Sequence, residues 1–359
     1  MLAALLLTAF PQPLQKIRVW FHKESPFSGT VIQDKFDSLL YNGIGTGNDS
    51  IEIVPCTRIT VQKVWTRVVA RVNSESPLRK LDVNGDGVLD VIVGYGIDEM
   101  IDDTLGFIPR CTSLKTNLTD MCGGGLLALN GVNGETLWQR WTSFTIFSMK
   151  CAIDINSDGQ SDCVAAGRGG LILAVDGRNG NILWELKDSS DLESYAGTSI
   201  DLYTINVVRD LNNDGIADVL AVHVEESLRA HGGHIKLISG ATGIILKSIP
   251  TPYREEMFVP IQVLLGKDGL EQFLMVTGGQ SSAGGIYTLN QKNLMKFNSE
   301  KDFAPVLRIN SSGFMVPAVL TDINGDSVQD IVVNSFNSTV FAFNGASKKQ
   351  LWSYTIAGN

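Results

Sequence analysis

The stretch Asp82-Val-Asn-Gly-Asp-Gly-Val-Leu-Asp90 places oxygen-bearing side chains at positions 1, 3, 5 and 9, with Gly87 at position 6. Alternate spacing turns Asp82, Asn84 and Asp86 toward the inside of a tight loop. The carbonyl of position 7 and the carboxylate of Asp90 can then close an oxygen shell. Ca²⁺ selects several hard oxygens with high negative charge density, and glycine at the sixth position permits the sharp bend. The pattern returns at Asp154, Asn156, Asp158 and Asp162, at Asp210, Asn212, Asp214 and Asp218, and at Asp322, Asn324, Asp326 and Asp330. Ser327 holds position 6 of the last copy, where a non-glycine residue at positive φ costs about 1 kcal/mol. A helix-flanked calcium hand requires Glu at position 12; Val93, Ala165, Ala221 and Val333 stand there instead. Each copy is therefore a calcium loop leading into an apolar strand. The expected role of the metal is to brace a turn, since a working metal keeps a coordination position open.

These loops need elements to hold them. A second signature, Gly125-Leu-Leu-Ala-Leu-Asn-Gly-Val-Asn-Gly-Glu-Thr-Leu-Trp138, reads as strand, glycine-rich hairpin, strand. It recurs at 170–184 and, more weakly, at 233–246 and 339–352. The unit is an apolar strand, a calcium loop, a second and third strand, a tight hairpin and a fourth strand often ending Leu-Trp. In the second copy the strands are expected at about 147–153, 163–167, 171–175 and 181–186. The loops start at 82, 154, 210 and 322, spacings of 72, 56 and 112. Because the last is twice 56, a degenerate copy is expected near 266, where Leu264, Gly266 and Gln272 replace ligands around Asp268 and Gly269. The excess in the first spacing fits an insert holding Cys111, Asn117 and Cys122.

Four antiparallel strands per repeat make the fold class all-β, a β-propeller of which about five blades are visible. The expected division is an N-terminal membrane-proximal segment, 1–55, and a propeller, 56–359, with Trp65 in a strand. Sheet edges must be closed, and the sequence stops just after a Leu-Trp strand, so the expectation is an incomplete chain. The apolar run Met1 to Phe10 is too short to span a bilayer. It suits the tail end of an anchor better than a minimal signal segment or a buried start.

At 44% hydrophobic and 19% charged, 359 residues can bury a large core. The net charge of −9 argues against nucleic acid or an anionic membrane surface as the main partner. Twelve Asp lie in the four loops, and four Ca²⁺ would bring −9 to about −1. Cys111 with Cys122, and Cys151 with Cys163, have spacings that suit local disulfides in an oxidising compartment, leaving Cys56 over. Sequons at Asn48, Asn117, Asn310 and Asn337 agree with an exported chain.

The pairing of these loops with apolar strands resembles the FG-GAP repeats of integrin α-chain propellers. The longer stretches 61–65, 76–82, 166–170, 251–260 and 335–343 resemble the integrin-α-like FG-GAP-repeat family of single-pass membrane proteins. That resemblance implies a type II membrane protein with one anchor, a lumenal or extracellular propeller and no catalytic activity.

Other constellations read more plainly. His223, His231 and His234 flank a glycine-rich connection and suit solvated loop histidines better than a zinc set. Arg254, Glu255 and Glu256 read as a solvated charge run, Trp138, Trp184 and Trp352 as core packing, and Asn42 to Asn48 as a flexible turn without phosphate-loop context. Two function classes remain. One is a calcium-binding recognition or adhesion module for a protein partner. The alternative is a quinoprotein-like propeller oxidoreductase, whose hairpins are similar but whose quinone sits over a disulfide of adjacent cysteines; no two cysteines are adjacent here.

Overall fold

The computed structural model describes residues 63–69, 72–97, 123–186, 198–227, 231–266 and 270–356. The segment 1–55, Cys56, Cys111, Cys122, Asn48, Asn117, Asp268 and Gly269 lie outside them. Among the described residues twenty-one strands form five antiparallel sheets. The first holds β1 (Val72–Asn73), β2 (Arg79–Leu81), β3 (Asp90–Ile97), β4 (Gly124–Leu129) and β5 (Thr136–Thr142). The second holds β6 (Ile146–Ile153), β7 (Asp162–Gly167), β8 (Ile172–Val175) and β9 (Ile182–Glu185), within a residue of the sequence expectation. The third holds β10 (Thr198–Val207), β11 (Val219–Ser227), β12 (His231–Ile238) and β13 (Ile245–Pro250). The degenerate copy is a sheet as well, made of β14 (Gln262–Leu265), β15 (Glu271–Val276), β16 (Gly284–Asn290) and β17 (Ala304–Ile309). The fifth holds β18 (Val319–Thr321), β19 (Asp330–Asn334), β20 (Thr339–Phe343) and β21 (Gln350–Thr355). Each pairs its strands in chain order except at β1 and β2, which both pair with β3.

The core lies between sheets. Ile92, Leu126 and Trp138 of the first pack against Met149, Ala165 and Leu173 of the second, and Val164, Ala174 and Trp184 of the second pack against Leu202, Val219 and Ala221 of the third. Leu220, Leu237 and Ile249 then meet Phe273, Met275 and Leu289, and Leu274 and Val276 meet Ile331 and Val333. Burying apolar faces pairwise in this way is what fans sheets into blades. The first strands are stitched by polar side chains: Arg79 Nε donates to the Met149 carbonyl, the Ile205 N–H donates to Ser148 Oγ, and Asn206 Nδ2 donates to the Ile261 carbonyl. Gln262 exchanges two hydrogen bonds with the backbone of Ala318. One short helix, α1 (Gln291–Met295), replaces the tight hairpin between β16 and β17.

A directional lock joins successive blades. The Trp138 indole N–H donates to the Gly177 carbonyl in the β8–β9 hairpin at 3.0 Å, and Trp184 donates to Gly240 in the β12–β13 hairpin at 2.7 Å. Trp65 donates in the same way to Gly131 at 2.8 Å, although residues 63–69 are irregular rather than the strand expected. Each ring lies over a second glycine three residues on. A Cβ at Gly134, Gly180 or Gly243 would fall 2.6, 2.5 or 2.6 Å from Cε3 of Trp65, Trp138 or Trp184. The hairpin between β20 and β21 shows the converse. Lys348 has φ 60° where the others have glycine, and its ammonium donates to the Gly345 carbonyl, replacing the missing indole.

Candidate metal loops

The loops join β2 to β3, β6 to β7, β10 to β11 and β18 to β19. All four share one backbone. Positions 4 and 6 have positive φ at Gly85 (75°) and Gly87 (83°), Ser157 (59°) and Gly159 (82°), Asn213 (60°) and Gly215 (94°), and Gly325 (76°) and Ser327 (64°). Ser327 thus takes the left-handed conformation that its place in the pattern demands.

The position-1 carboxylate gathers this bend around itself. Oδ2 of Asp82, Asp154, Asp210 and Asp322 accepts the N–H of Gly87, Gly159, Gly215 and Ser327 at 2.8–3.0 Å. The other oxygen accepts from the N–H of Asp86, Asp158, Asp214 and Asp326, which also reaches Oδ1 of Asn84, Asn156, Asn212 and Asn324. Side chains at positions 1, 3 and 5 therefore turn into their own loop. The Ile216 N–H, above all, holds the Asp214 carboxyl below its ordinary range.

Position 9 has a different place. Asp90, Asp162, Asp218 and Asp330 are fully buried. One oxygen of each accepts the N–H of position 2, from Val83, Ile155, Leu211 or Ile323, at 2.7–3.0 Å. The other accepts the N–H of the hairpin glycine, Gly131, Gly177, Gly240 or Gly345, at 2.8–3.3 Å. These carboxylates are struts tying loop to hairpin. Burial raises the pKa of Asp162 and of Asp218 above the carboxylate norm against the pull of those N–H groups.

Among the described residues no three His, Cys, Asp or Glu side chains converge on one point. The donor chemistry still fits a hard cation, because each loop offers two exposed or half-buried carboxylates and an amide oxygen at positions 1, 3 and 5. The position-5 carboxylate is contested from the hairpin: Arg178 pairs with Asp158 at 3.4 Å, Ser239 donates to Asp214, and Asn344 donates to Asp326. Cys151 and Cys163, facing each other on β6 and β7, form a disulfide that closes the base of the second loop.

Three sequence readings need correction. Trp352 is not core packing: it is 44% exposed, against 8% for Trp138 and Trp184. His223 and His234 are not loop residues; they face each other on β11 and β12, and His223 is only 3% exposed. Neither ring nitrogen of His223 has a hydrogen-bond partner, and it lines a cavity of about 10 Å³ with Ile172, Leu202 and Lys236. The periodic apolar residues around it signalled a strand; the glycines at 232 and 233 masked that signal. Glu255 is not a solvated charge. Its side chain is 8% exposed, pairs with Arg308 at 3.2 Å, and accepts from Thr277 Oγ1 and Tyr287 Oη.

A family model described as the FAM234A/B beta-propeller matches residues 65–357. The chain belongs to this family. Human protein FAM234A is 27% identical over 195 residues, which are 53% of this chain and 32% of that relative. The chain thus spans about a third of its length in the match. Among solved structures the chain is similar to Sqt1 of Saccharomyces cerevisiae, with TM-score 0.45 and 10% identity over 75% of this chain and 59% of that one. It is also similar to the quinohemoprotein alcohol dehydrogenase ADHIIG of Pseudomonas putida HK5, with TM-score 0.48 and 9% identity over 82% and 44%. FAM234A/B membership establishes a propeller family without specifying the FG-GAP repeat of integrin α-chains. No helix among the described residues is long and apolar enough to cross a membrane.

Proposed function

We propose that this FAM234A/B-family propeller is a non-enzymatic recognition module, braced by Ca²⁺ at its four loops and displayed outside the cytosol from a membrane anchor. The observation that carries the metal is the common loop backbone, with left-handed residues at positions 4 and 6 and oxygen donors turned inward at 1, 3 and 5. The Asp, Asn and Asp triplets at 82, 84 and 86, at 154, 156 and 158, at 210, 212 and 214, and at 322, 324 and 326 would hold the ions. Asp90, Asp162, Asp218 and Asp330 would fix the loops from behind. The disulfide between Cys151 and Cys163 supports an oxidising compartment. The loop pattern's resemblance to FG-GAP propellers supports protein recognition or adhesion as the task, with a protein partner met by loops on a rigid scaffold.

Ligand linkage supplies the test. A site filled at a hundred times its dissociation constant contributes about 2.7 kcal/mol. Excess EDTA should lower the melting temperature by several degrees, and Asp154→Ala should remove part of the difference between calcium and EDTA. An unchanged melt in chelator overturns the proposal.

A further inference from the structure

The turn between β13 and β14 holds strain that folding does not use. Tyr253 and Arg254, consecutive and neither of them glycine, have φ 54° and 56°, a left-handed conformation that side chains enter only at a cost. Three backbone ties keep them there. The Arg254 N–H donates to the Thr251 carbonyl at 2.9 Å, the Glu255 N–H to the Pro252 carbonyl at 3.0 Å, and Thr251 Oγ1 to the Glu255 carbonyl at 2.6 Å. The Glu255 carboxylate is in turn anchored by Thr277, Tyr287 and Arg308. Arg308 also lies over the Tyr253 ring, 4.3 Å from its centroid.

This machinery presents two side chains to solvent. Tyr253 is 54% exposed, and Arg254 is exposed beside it. Among the described residues the Arg254 side chain makes no hydrogen bond, ion pair or ring contact. A backbone strained to raise an idle guanidinium gains nothing for the fold, and such outliers gather at binding sites. Tyr and Arg are the types enriched in interface hot spots, and holding them in place beforehand cuts the entropy that binding costs. The turn joins sheets that have neighbours on both sides, so its exposure does not depend on where the sequence stops.

Charge indicates the ligand. Strand direction puts the turn at the sheet ends away from the metal loops, since β13 starts from the Gly240 hairpin that Asp218 ties to its loop. Arg168 lies at those same ends, following β7, and is raised 5.5 Å over the Phe147 ring. The carboxylates beside these arginines sit deeper. Asp201, which accepts the Gly169 N–H, is 2% exposed, the Glu255 side chain is 8% exposed, and Glu256 is half-buried. Arg168, Arg254 and Arg308 are all exposed, and a guanidinium fork matches a carboxylate. Resting on the reading of this propeller as a protein-recognition module, we infer that the Tyr253–Arg254 turn receives an acidic peptide segment of the partner. Arg254 takes a carboxylate of that segment, and the Tyr253 ring is the platform for the residue next to it.

Selection of dodecapeptides from a random displayed library on the immobilised full chain tests this, with heparin as a second probe. Enriched peptides should be rich in Asp and Glu. Arg254→Gly and Tyr253→Ala should each weaken their binding at least tenfold. Because glycine relieves the left-handed backbone, Arg254→Gly should at the same time leave the melting temperature unchanged or raise it. A lower melting temperature in Arg254→Gly makes the turn structural and overturns the inference. Peptides that bind both variants as well as wild type also overturn it, while leaving the recognition reading in place. If no peptide is enriched, both fall. Heparin held through Arg254 more tightly than any selected peptide would make the turn a glycan site, and the inference fails there too.

Discussion

At the scale of single residues, the position-9 aspartates separate bracing by protein from bracing by metal. Asp218 satisfies the N–H groups of Leu211 and Gly240 inside the core. Asp218→Ala leaves the buried Gly240 N–H and the half-buried Leu211 N–H unpaired, at up to about 1–3 kcal/mol each. The loss should appear equally in calcium and in EDTA when measured by denaturant unfolding. By contrast, Asp154→Ala should matter mainly in calcium. The oxygen pattern itself was readable because positions 1, 3 and 5 are local to one turn. The strut was not, since its second partner lies 15 to 41 residues further on. His223 gives another residue-scale outcome. Burial first, then Lys236 and His234, lowers its pKa to about 3. An imidazole depressed in the folded state binds fewer protons than the unfolded chain does. Its contribution is complete above pH 6.5 and is lost as pH falls toward 3, at about 1.4 kcal/mol per unit. Unfolding free energies between pH 6 and 4 should show this slope, and His223→Leu should remove it.

At the scale of elements, hairpin chemistry follows the neighbouring blade. Gly180 has φ 71° and would push a Cβ to 2.5 Å from Trp138. Gly180→Ala should therefore destabilise by about 3 kcal/mol, strain and overpacking together. Lys348→Gly relieves a left-handed residue with no ring above it, and should change stability by less than about 1 kcal/mol. Chemical denaturation of the two variants checks the contrast. Strands and hairpins were legible from alternation and turn residues: the second blade falls within one residue of expectation. Trp65 was misplaced because its surroundings alternate like a strand while the ring is held by a hairpin 66 residues away. The missing hairpin between β16 and β17 was also beyond reach, since α1 is a single turn with no amphipathic run to announce it.

At the scale of the molecule, the acidic balance belongs to the loops. Twelve of the carboxylates occupy them, against a net charge of −9. Filling four sites would bring the charge to about −1, so calcium should move the chain to markedly lower salt on an anion exchanger. Elution at the same salt with calcium and with EDTA would count against four filled sites. The propeller architecture was legible from the repeat period, because each blade must bury its faces against the next. The blade-to-blade stitches by Ser148, Asn206 and Gln262 were not. They depend on which strands lie innermost, and a repeat period does not specify that.

The indole locks all point toward the C-terminus, and that polarity sets a timetable for synthesis. Trp138, Trp184 and Trp65 must wait for glycines 39, 56 and 66 residues downstream before their rings have anywhere to go. At 5–20 residues per second, each ring stays uncovered for roughly 2 to 13 s after it leaves the ribosome. A nascent chain stalled between Trp184 and Gly240 would therefore present a sticky aromatic edge, a natural point of call for chaperones.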